Sequence, residues 1–132
     1  MKSKYKIELD EEQLNVIQES LDFYSRIGMG QFNEMIGPKY SDFQERLRLN
    51  GDYVEAEVLI RQLKKKLTGL DHNQFYSIAS PRSPRYCKIA WEIYQTFRYR
   101  ISWDRNPSGG TTTNYNEPFK ITDVALPKIE KS

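Results

Sequence analysis

The chain has 132 residues, of which 38% are hydrophobic and 29% are charged, and its formal net charge is only +2. This is the size and composition of one ordinary globular domain, which can bury a core without a disulfide or metal staple. A nucleic-acid coat needs a strong basic excess, so nucleic acid is not an expected partner. The single cysteine, Cys87, excludes an internal disulfide and favours a reducing compartment.

The start of the chain, MKSKYKIELDEEQ, has neither an apolar signal core nor a small-residue cleavage site. No apolar run approaches the roughly 18 residues that mark a membrane-spanning helix. We therefore expect no membrane contact and a cytoplasmic location.

The N-terminal segment, residues 1–9, is predicted to form a short strand. Its KYKIEL stretch alternates charged side chains with apolar ones, and a period of two is typical of a half-buried strand. The apolar members of this alternation are Tyr5, Ile7 and Leu9.

A long helix is predicted over residues 10–36. Asp10 and Gln13 form a D-x-x-Q capping box at its start, and Gly37-Pro38 is a typical stop signal at its end. Apolar spacings of three and four predict one inward face. That face comprises Leu14, Ile17, Leu21, Tyr24, Gly28, Gln31 and Met35.

Two further helices are predicted over residues 41–49 and 52–68. Each opens with a capping box, in which a small polar residue is followed three positions later by an amide or an acid. The two boxes are Ser41 with Gln44 and Asp52 with Glu55. Gly69 is the expected C-cap of the second helix. The predicted inward residues are Phe43 and Leu47 on the first helix, and Ala56, Leu59, Ile60, Leu63 and Leu67 on the second.

The last helix is predicted over residues 83–104, with Ser83 as N-cap and Pro84 at its first position. Its inward residues are expected to be Tyr86, Ile89, Ala90, Ile93, Phe97 and Ile101, and a second face carries Trp91, Tyr94, Arg98 and Arg105. Residues 111–123 are predicted to form one or two short strands, and residues 127–132 a tail. The expected fold is therefore mainly α: a four-helix single domain with a short N-terminal strand and short C-terminal strands.

The chain offers few residues for catalysis or metal binding. It has one histidine, His72, and one cysteine, Cys87, whereas a catalytic zinc site usually takes three protein ligands. Cys87 falls in the first turn of a predicted helix, where a thiol pKa is lowered, but its apolar neighbours favour a small core residue. We therefore expect no enzymatic activity, no metal site and no cofactor.

Gly28 and Gly30 fall inside the first helical pattern, so they are not a phosphate-binding loop. Each costs roughly 1 kcal/mol of helix stability relative to alanine, which indicates close approach of another helix or of a ligand. Gln31 puts an amide on the same apolar stripe. It is expected either to be paired in the core, with Tyr94 or Tyr99, or to line a pocket.

Charge is unevenly distributed along the chain. Residues 8–22 carry six acidic side chains and no Lys or Arg, whereas residues 82–105 carry six basic side chains and two acidic ones. Two interpretations stay open at this point. In the first, the two regions attract each other, either within one fold or between protomers. In the second, the late helix holds an anion site.

The strongest functional pattern is FRYRISWDRN at residues 97–106, which combines three arginines with three aromatic residues. Arginine forks match phosphates and carboxylates, and aromatic faces stack on bases. The sequence therefore predicts a site for a small anionic, nucleotide-like ligand. The expected ligand-binding residues are Tyr94, Arg98, Arg100, Trp103, Arg105 and Gln31. Alternatively, the same arginines and aromatics anchor a protein–protein interface.

Two stretches carry a resemblance to a known group of proteins. They are KYKIELDEEQLNVIQESLDFYSRIGMGQFNEM near the start and CKIAWEIYQTFRYRISWDRNPSGGTT in the later half. Together they resemble small uncharacterised accessory proteins encoded by bacteriophages and prophages. The resemblance implies a role in the host cytoplasm, and some such proteins counter host defence by sequestering immune signalling nucleotides, usually as homo-oligomers. The alternative role is an inhibitor or assembly factor that acts on a host or phage protein.

Overall fold

The computed structural model describes residues 3–36, 52–110 and 118–132. These residues form three α-helices and one short 3-10 helix. The helices are α1 (Glu11–Gly28), the 3-10 helix (Phe32–Met35), α2 (Tyr53–Thr68) and α3 (Arg85–Arg105). The mainly-α class predicted from the sequence is confirmed.

The predicted strands are not found in the described part of the chain. Residues 3–9 pair with no described strand, and residues 118–123 are irregular. An alternating sequence gives an extended backbone, but a strand also needs a hydrogen-bonded neighbour. The predicted helix over 41–49 and the rest of the predicted C-terminal strand region, residues 111–117, lie outside the described residues.

The first helix begins as predicted but ends earlier. The backbone N–H of Gln13 donates to the Asp10 carboxylate at 2.8 Å, and the Asp10 N–H donates back to the Gln13 side chain at 3.1 Å. The helix ends at Gly28, and Gly30 follows with φ of +83°. This left-handed turn interrupts the helical path, so the prediction of one helix over 10–36 is wrong in its last third.

The ends of α2 also follow the sequence signals. The Asp52 carboxylate accepts a hydrogen bond from the Glu55 N–H at 3.1 Å. At the other end Gly69 adopts φ of +75°, and its N–H donates to the carbonyl of Lys65. A left-handed glycine is the usual C-cap, because it lacks the Cβ that would be strained there.

The start of α3 differs from its prediction by two residues. Pro84 is the N-cap and Arg85 the first helical residue, and no side chain caps the helix. The Ser83 hydroxyl instead donates to the carbonyl of Ser77 at 2.8 Å, so Ser83 holds the preceding connector rather than the helix end. The predicted N-cap role of Ser83 is therefore wrong.

Helices α1 and α3 pack antiparallel. At one end a Cβ built on Gly28 would lie 2.2 Å from the Cys87 sulfur, and the Cys87 thiol donates to the carbonyl of Tyr24 at 3.5 Å. At the other end Arg105 contacts Glu11 at 3.5 Å. The prediction that Gly28 permits close approach of another helix is confirmed, and Cys87 is buried as expected for a small core residue.

The buried face of α1 is polar. Asp22 and Ser25 are fully buried, while Ile17 and Tyr24 of the predicted inward stripe are exposed. Asp22 and Ser25 each lie one position after a predicted core residue, which is about 100° around a helix. The helix is thus rotated away from its apolar stripe, so the predicted inward face is wrong for Ile17 and Tyr24. Met35, in the 3-10 helix beyond the turn at Gly30, is also exposed, contrary to its predicted inward position.

Helix α3 is covered on two opposite sides. Cys87, Ala90 and Tyr94 are buried on its α1-facing side, so part of the predicted second face is interior, while the predicted core residue Tyr86 is 73% exposed. On the other side the Glu92 carboxylate accepts hydrogen bonds from the backbone of Ile121 and Thr122. This carboxylate fixes the C-terminal segment, residues 118–126, to the helix.

Helix α2 lies against the 3-10 helix. The Tyr53 hydroxyl donates to the carbonyl of Ile36 at 3.2 Å, and Lys64 is buried. The leucines spaced by four along α2 are 47% to 67% exposed, contrary to their predicted inward position; they are Leu59, Leu63 and Leu67. We call these three residues the leucine stripe.

Candidate functional site

Two of the six predicted ligand-binding residues, Tyr94 and Arg98, are in contact. Tyr94 is buried, and the Arg98 guanidinium lies over its ring, 5.3 Å from the centroid. The Trp91 ring also packs against the Tyr94 ring, with ring centroids 5.4 Å apart. A cation over an aromatic face is a stabilising arrangement in itself, so both residues already have structural partners.

Arg100 and Arg105 each contact an acidic side chain of the same chain. Arg100 lies 3.1 Å from Asp104, one helical turn away, and Arg105 lies 3.5 Å from Glu11. The second pair joins the basic end of α3 to the acidic start of α1, as the internal charge-match interpretation predicts. Both pairs are substantially exposed, so each contributes at most about 1 kcal/mol.

Trp103 is covered by the loop that follows α3. Gly109 has φ of +77°, and a Cβ built on it would lie 3.0 Å from the indole ring. Tyr99 meets the same indole edge-on, with ring centroids 6.5 Å apart. The chain itself therefore occupies indole surface that the prediction assigned to a stacked base.

The groove beside Tyr94 is acidic. It is an open cleft of about 260 Å³ between α1 and α3, lined by Asn15, Gln18, Glu19, Asp22 and Tyr94. Two of its five lining residues are carboxylates, and like charges repel an anion held among them. The cleft therefore disfavours a phosphate next to Tyr94.

Gln31 lies apart from the other predicted site residues. Its side-chain oxygen accepts a hydrogen bond from Arg26 at 2.9 Å, so the predicted pairing with Tyr94 or Tyr99 is wrong. The left-handed turn at Gly30 carries Gln31 away from the α1–α3 interface. Gln31 instead lines a second pocket, as the alternative prediction for this residue anticipated.

This second pocket, which we call the Arg26–Lys64 pocket, has a volume of about 350 Å³. It lies where the end of α1, the 3-10 helix, α2 and the connector before α3 meet. Its lining residues are mostly polar and include two cations, one imidazole, four amides and one carboxylate. They are Arg26, Gln31, Asn33, Glu34, Lys64, His72, Asn73, Gln74 and Phe75.

Arg26 is held in place from several sides. Its Nε donates to Asp22 at 3.0 Å, its Nη1 donates to Gln31 at 2.9 Å, and Glu34 lies 4.0 Å away. The guanidinium also lies 6.0 Å from the centroid of the Trp91 ring. A guanidinium with fixed neighbours presents its remaining N–H groups in a defined direction, which suits recognition of a planar anion.

Lys64 forms the buried wall of the pocket. Only 3% of the residue is exposed, and its ammonium group donates to the main-chain carbonyls of His72 and Gln74. Burial lowers the pKa of Lys64 from its ordinary value of 10.5. A cation in such a place favours a nearby anion, because desolvation strengthens their attraction.

Sequence reasoning missed most of this pocket. Arg26 is an isolated basic residue in α1, and the helix dipole by itself explains the position of Lys64 in the sequence. The sequence suggested His72 only as a metal ligand or a catalytic residue. The one available signal was the glycine pair before Gln31, because a turn there brings the end of α1 toward α2.

The possible metal ligands and the single cysteine can be compared with the sequence predictions. Among them, no three His, Cys, Asp or Glu side chains come together as a metal site. Burial raises the pKa of the Cys87 thiol, although a hydrogen bond with Gly28 opposes this, so the thiol is not activated as a nucleophile. None of the described helices combines the length and the apolar character needed to cross a membrane.

Comparison of the chain with protein-family models, with curated proteins and with solved structures returned no match.

Proposed function

We propose that the protein binds a small anionic, nucleotide-like ligand in the Arg26–Lys64 pocket without transforming it. The observation that carries this proposal is the convergence of Arg26, Lys64 and His72 on one opening of about 350 Å³. Ligand pockets commonly begin at about 300 Å³, so the opening suits a ligand of nucleotide size.

The charge balance of the two openings favours this pocket over the predicted one. The Arg26–Lys64 pocket has two cations and one carboxylate, Glu34, whereas the cleft beside Tyr94 has two carboxylates. Phe75 is largely exposed at the pocket and offers an aromatic face for a base. The pocket amides supply further hydrogen-bond donors and acceptors, which give specificity rather than charge.

Retention of a ligand without catalysis is the mode of action of a sequestering protein. The resemblance to phage accessory proteins supports the more specific role of removing a nucleotide signal of host defence. The proposed site keeps Gln31 from the sequence prediction and replaces the α3 residues with Arg26, Lys64 and His72.

A Gln31→Glu variant tests the site. It adds one negative charge to the pocket with almost no change of shape, and we expect it to weaken anion binding at least about tenfold. Gln18→Glu is the matched control, because it makes the same change in the cleft beside Tyr94. Native mass spectrometry of protein from bacterial extract, followed by titration calorimetry with adenosine and guanosine monophosphates and dinucleotides, measures retention and affinity.

The proposal requires that Gln31→Glu binds the anion more weakly than Gln18→Glu does. If Gln18→Glu loses the ligand and Gln31→Glu keeps it, the cleft beside Tyr94 is the site. If both proteins retain a nucleotide equally, neither opening holds it. If the wild-type protein retains and binds no anion, the proposed function is wrong.

The leucine stripe supports a second candidate function, binding to another protein. Three leucines spaced by four on one helix form an apolar ridge that would dock in the groove of a partner surface. Exposed apolar ridges of this kind mark interaction surfaces in soluble proteins. This candidate corresponds to the inhibitor or assembly-factor role of the sequence analysis.

A Leu63→Glu variant tests the second candidate. A charge buried at the interface is expected to abolish binding of a stoichiometric protein partner captured from host extract. Gln62→Glu is the matched control, because it places the same carboxylate at the neighbouring, exposed position of α2. A partner that binds all three proteins equally contacts another surface.

A further inference from the structure

The N-terminal arm, residues 3–9, has neither helical nor strand structure, and its apolar side chains are open to solvent. Tyr5 is 87% exposed and Ile7 is 77% exposed, and Leu9 is also exposed. The arm precedes α1, and its backbone pairs with no described strand. Unpaired N–H and C=O groups along an extended segment are a template for pairing with another strand.

The sequence of the arm sorts its side chains onto two faces. In extended backbone successive side chains point to opposite sides, so Tyr5, Ile7 and Leu9 share one face. Lys4, Lys6 and Glu8 share the other. A partner strand must match both faces at once, because a shift of one residue exchanges them.

A second copy of the arm meets this requirement in one antiparallel register. When two copies pair about Ile7, Lys6 of each lies opposite Glu8 of the other. Tyr5 then lies opposite Leu9, and Ile7 opposite itself. Cross-strand neighbours of opposite charge, and apolar neighbours on the other face, are both stabilising.

The competing arrangements place like charges together. A parallel, in-register pair sets Lys4, Lys6 and Glu8 each opposite its own copy. An antiparallel pair centred on Lys6 brings the two Lys6 ammonium groups face to face, and a centre between residues sets charged side chains opposite apolar ones. Like charges directly opposite each other are destabilising, so the pattern selects the register centred on Ile7.

We propose that the protein self-associates through this arm, with two copies forming an antiparallel two-stranded ribbon centred on Ile7. In this register the two copies of Glu11, the first residue of α1, lie eight residues apart along the ribbon. This separation is roughly 27 Å at 3.4 Å per residue. The two helical bodies therefore diverge from opposite ends of the ribbon. Their acidic first turns are separated by more than the roughly 8 Å over which charges act in physiological salt.

Charge exchange at one cross-strand pair tests the proposal. Lys6→Glu alone sets two carboxylates opposite each other, and Glu8→Lys alone sets two ammonium groups opposite each other, so each variant should self-associate at least about tenfold more weakly. Mixing the two variants restores opposite-charge pairing between the two chains, and the double variant restores it between identical chains. Sedimentation equilibrium measures whether the mass is that of one 15.6 kDa chain or of two.

The controls separate this pairing from a change in net charge. Glu130→Lys and Lys131→Glu make the same charge changes in the exposed C-terminal tail and should leave self-association unchanged. Ile7→Ser removes the apolar pair at the centre of the ribbon without changing the net charge, and should weaken self-association. Because the arm lies outside the helices, circular dichroism should show equal helix content in every variant.

Three results would overturn the proposal. The first is a wild-type protein that stays monomeric up to the highest soluble concentration. The second is a dimer with the same affinity in wild type and in both single-charge variants, which would place the interface elsewhere. The third is a mixture of the Lys6→Glu and Glu8→Lys proteins that associates no better than either protein alone.

Discussion

Polar side chains are buried at the interface between α1 and α3, whereas apolar side chains are exposed along the leucine stripe of α2. The interface buries Asp22, Ser25 and Tyr94, whereas the stripe exposes Leu59, Leu63 and Leu67. The polar groups are tolerated inside because they are hydrogen-bonded: Asp22 to Arg26, and the Ser25 hydroxyl to the carbonyl of Leu21. Burial therefore follows hydrogen bonding and close backbone approach here rather than apolar character alone.

The largest expected effect is the loss of the buried carboxylate of Asp22. Asp22→Ala leaves the Arg26 guanidinium without its closest acid, and we expect it to lower the free energy of unfolding by about 3 kcal/mol. Glu19→Ala, on the same helix and lining the same cleft, is the exposed control and should cost less than about 0.5 kcal/mol. Urea denaturation followed by circular dichroism compares them, and equal losses would mean that burial of Asp22 is not what matters.

The second effect concerns the carboxylate that holds the C-terminal segment. Glu92→Gln replaces an acceptor of several hydrogen bonds with an amide, and should cost about 2 kcal/mol at pH 7. Burial raises the pKa of Glu92, but hydrogen bonds from Thr122 and Ile121 outweigh it, so the pKa lies below its ordinary value of 4.5.

The sign of this shift fixes the pH dependence. Because the pKa of Glu92 is lower in the folded than in the unfolded protein, its contribution is complete above about pH 4.5 and is lost as pH falls through the folded pKa. The difference in free energy of unfolding between wild type and Glu92→Gln should therefore become smaller as the pH falls below about 4.5. A difference that is constant from pH 7 to pH 3 would contradict the assignment.

A smaller effect is expected where the helix backbones meet. Gly28→Ala would place a methyl group 2.2 Å from the Cys87 sulfur, and we expect a net loss of about 1–2 kcal/mol although alanine favours the helix. Combining it with Cys87→Gly removes the clash. A double-mutant cycle should show that the two changes together cost less than the sum of the single ones.

The smallest effect is expected on the leucine stripe. Leu63→Gln should change the free energy of unfolding by less than about 0.5 kcal/mol, because the side chain is already largely exposed. Ile60→Gln, on the packed side of α2, is the matched comparison and should cost about 1 kcal/mol or more. If Leu63→Gln proves as costly as Ile60→Gln, the stripe is part of the core rather than a binding surface.

Local signals in the sequence predicted most helix ends. The Asp10–Gln13 capping box and Gly69 act as expected, because each depends on a few neighbouring residues and on local backbone geometry. The signal at Ser83 failed because its hydroxyl has a closer partner in the connector. Residues 3–9 have the alternation of a strand but no neighbouring strand within the described chain.

Of the residues that line the candidate site, the sequence analysis predicted only Gln31 as ligand-binding. The arginines of α3 formed the densest pattern in the sequence, but Arg100 and Arg105 contact acids of the same chain. Arg26 and Lys64 come from helices that are far apart in sequence, and neither has a neighbouring motif. Both line the same pocket, where Lys64 donates to a connector carbonyl.

By itself the sequence determined the mainly helical class, the start of α1, both ends of α2 and the uneven distribution of charge, because local hydrogen bonds and composition decide these properties. Only the tertiary structure decided which face of each helix is buried. The close approach of Gly28 to Cys87, for example, joins residues far apart in the sequence. The same long-range packing brought Arg26 and Lys64 to the lining of one pocket.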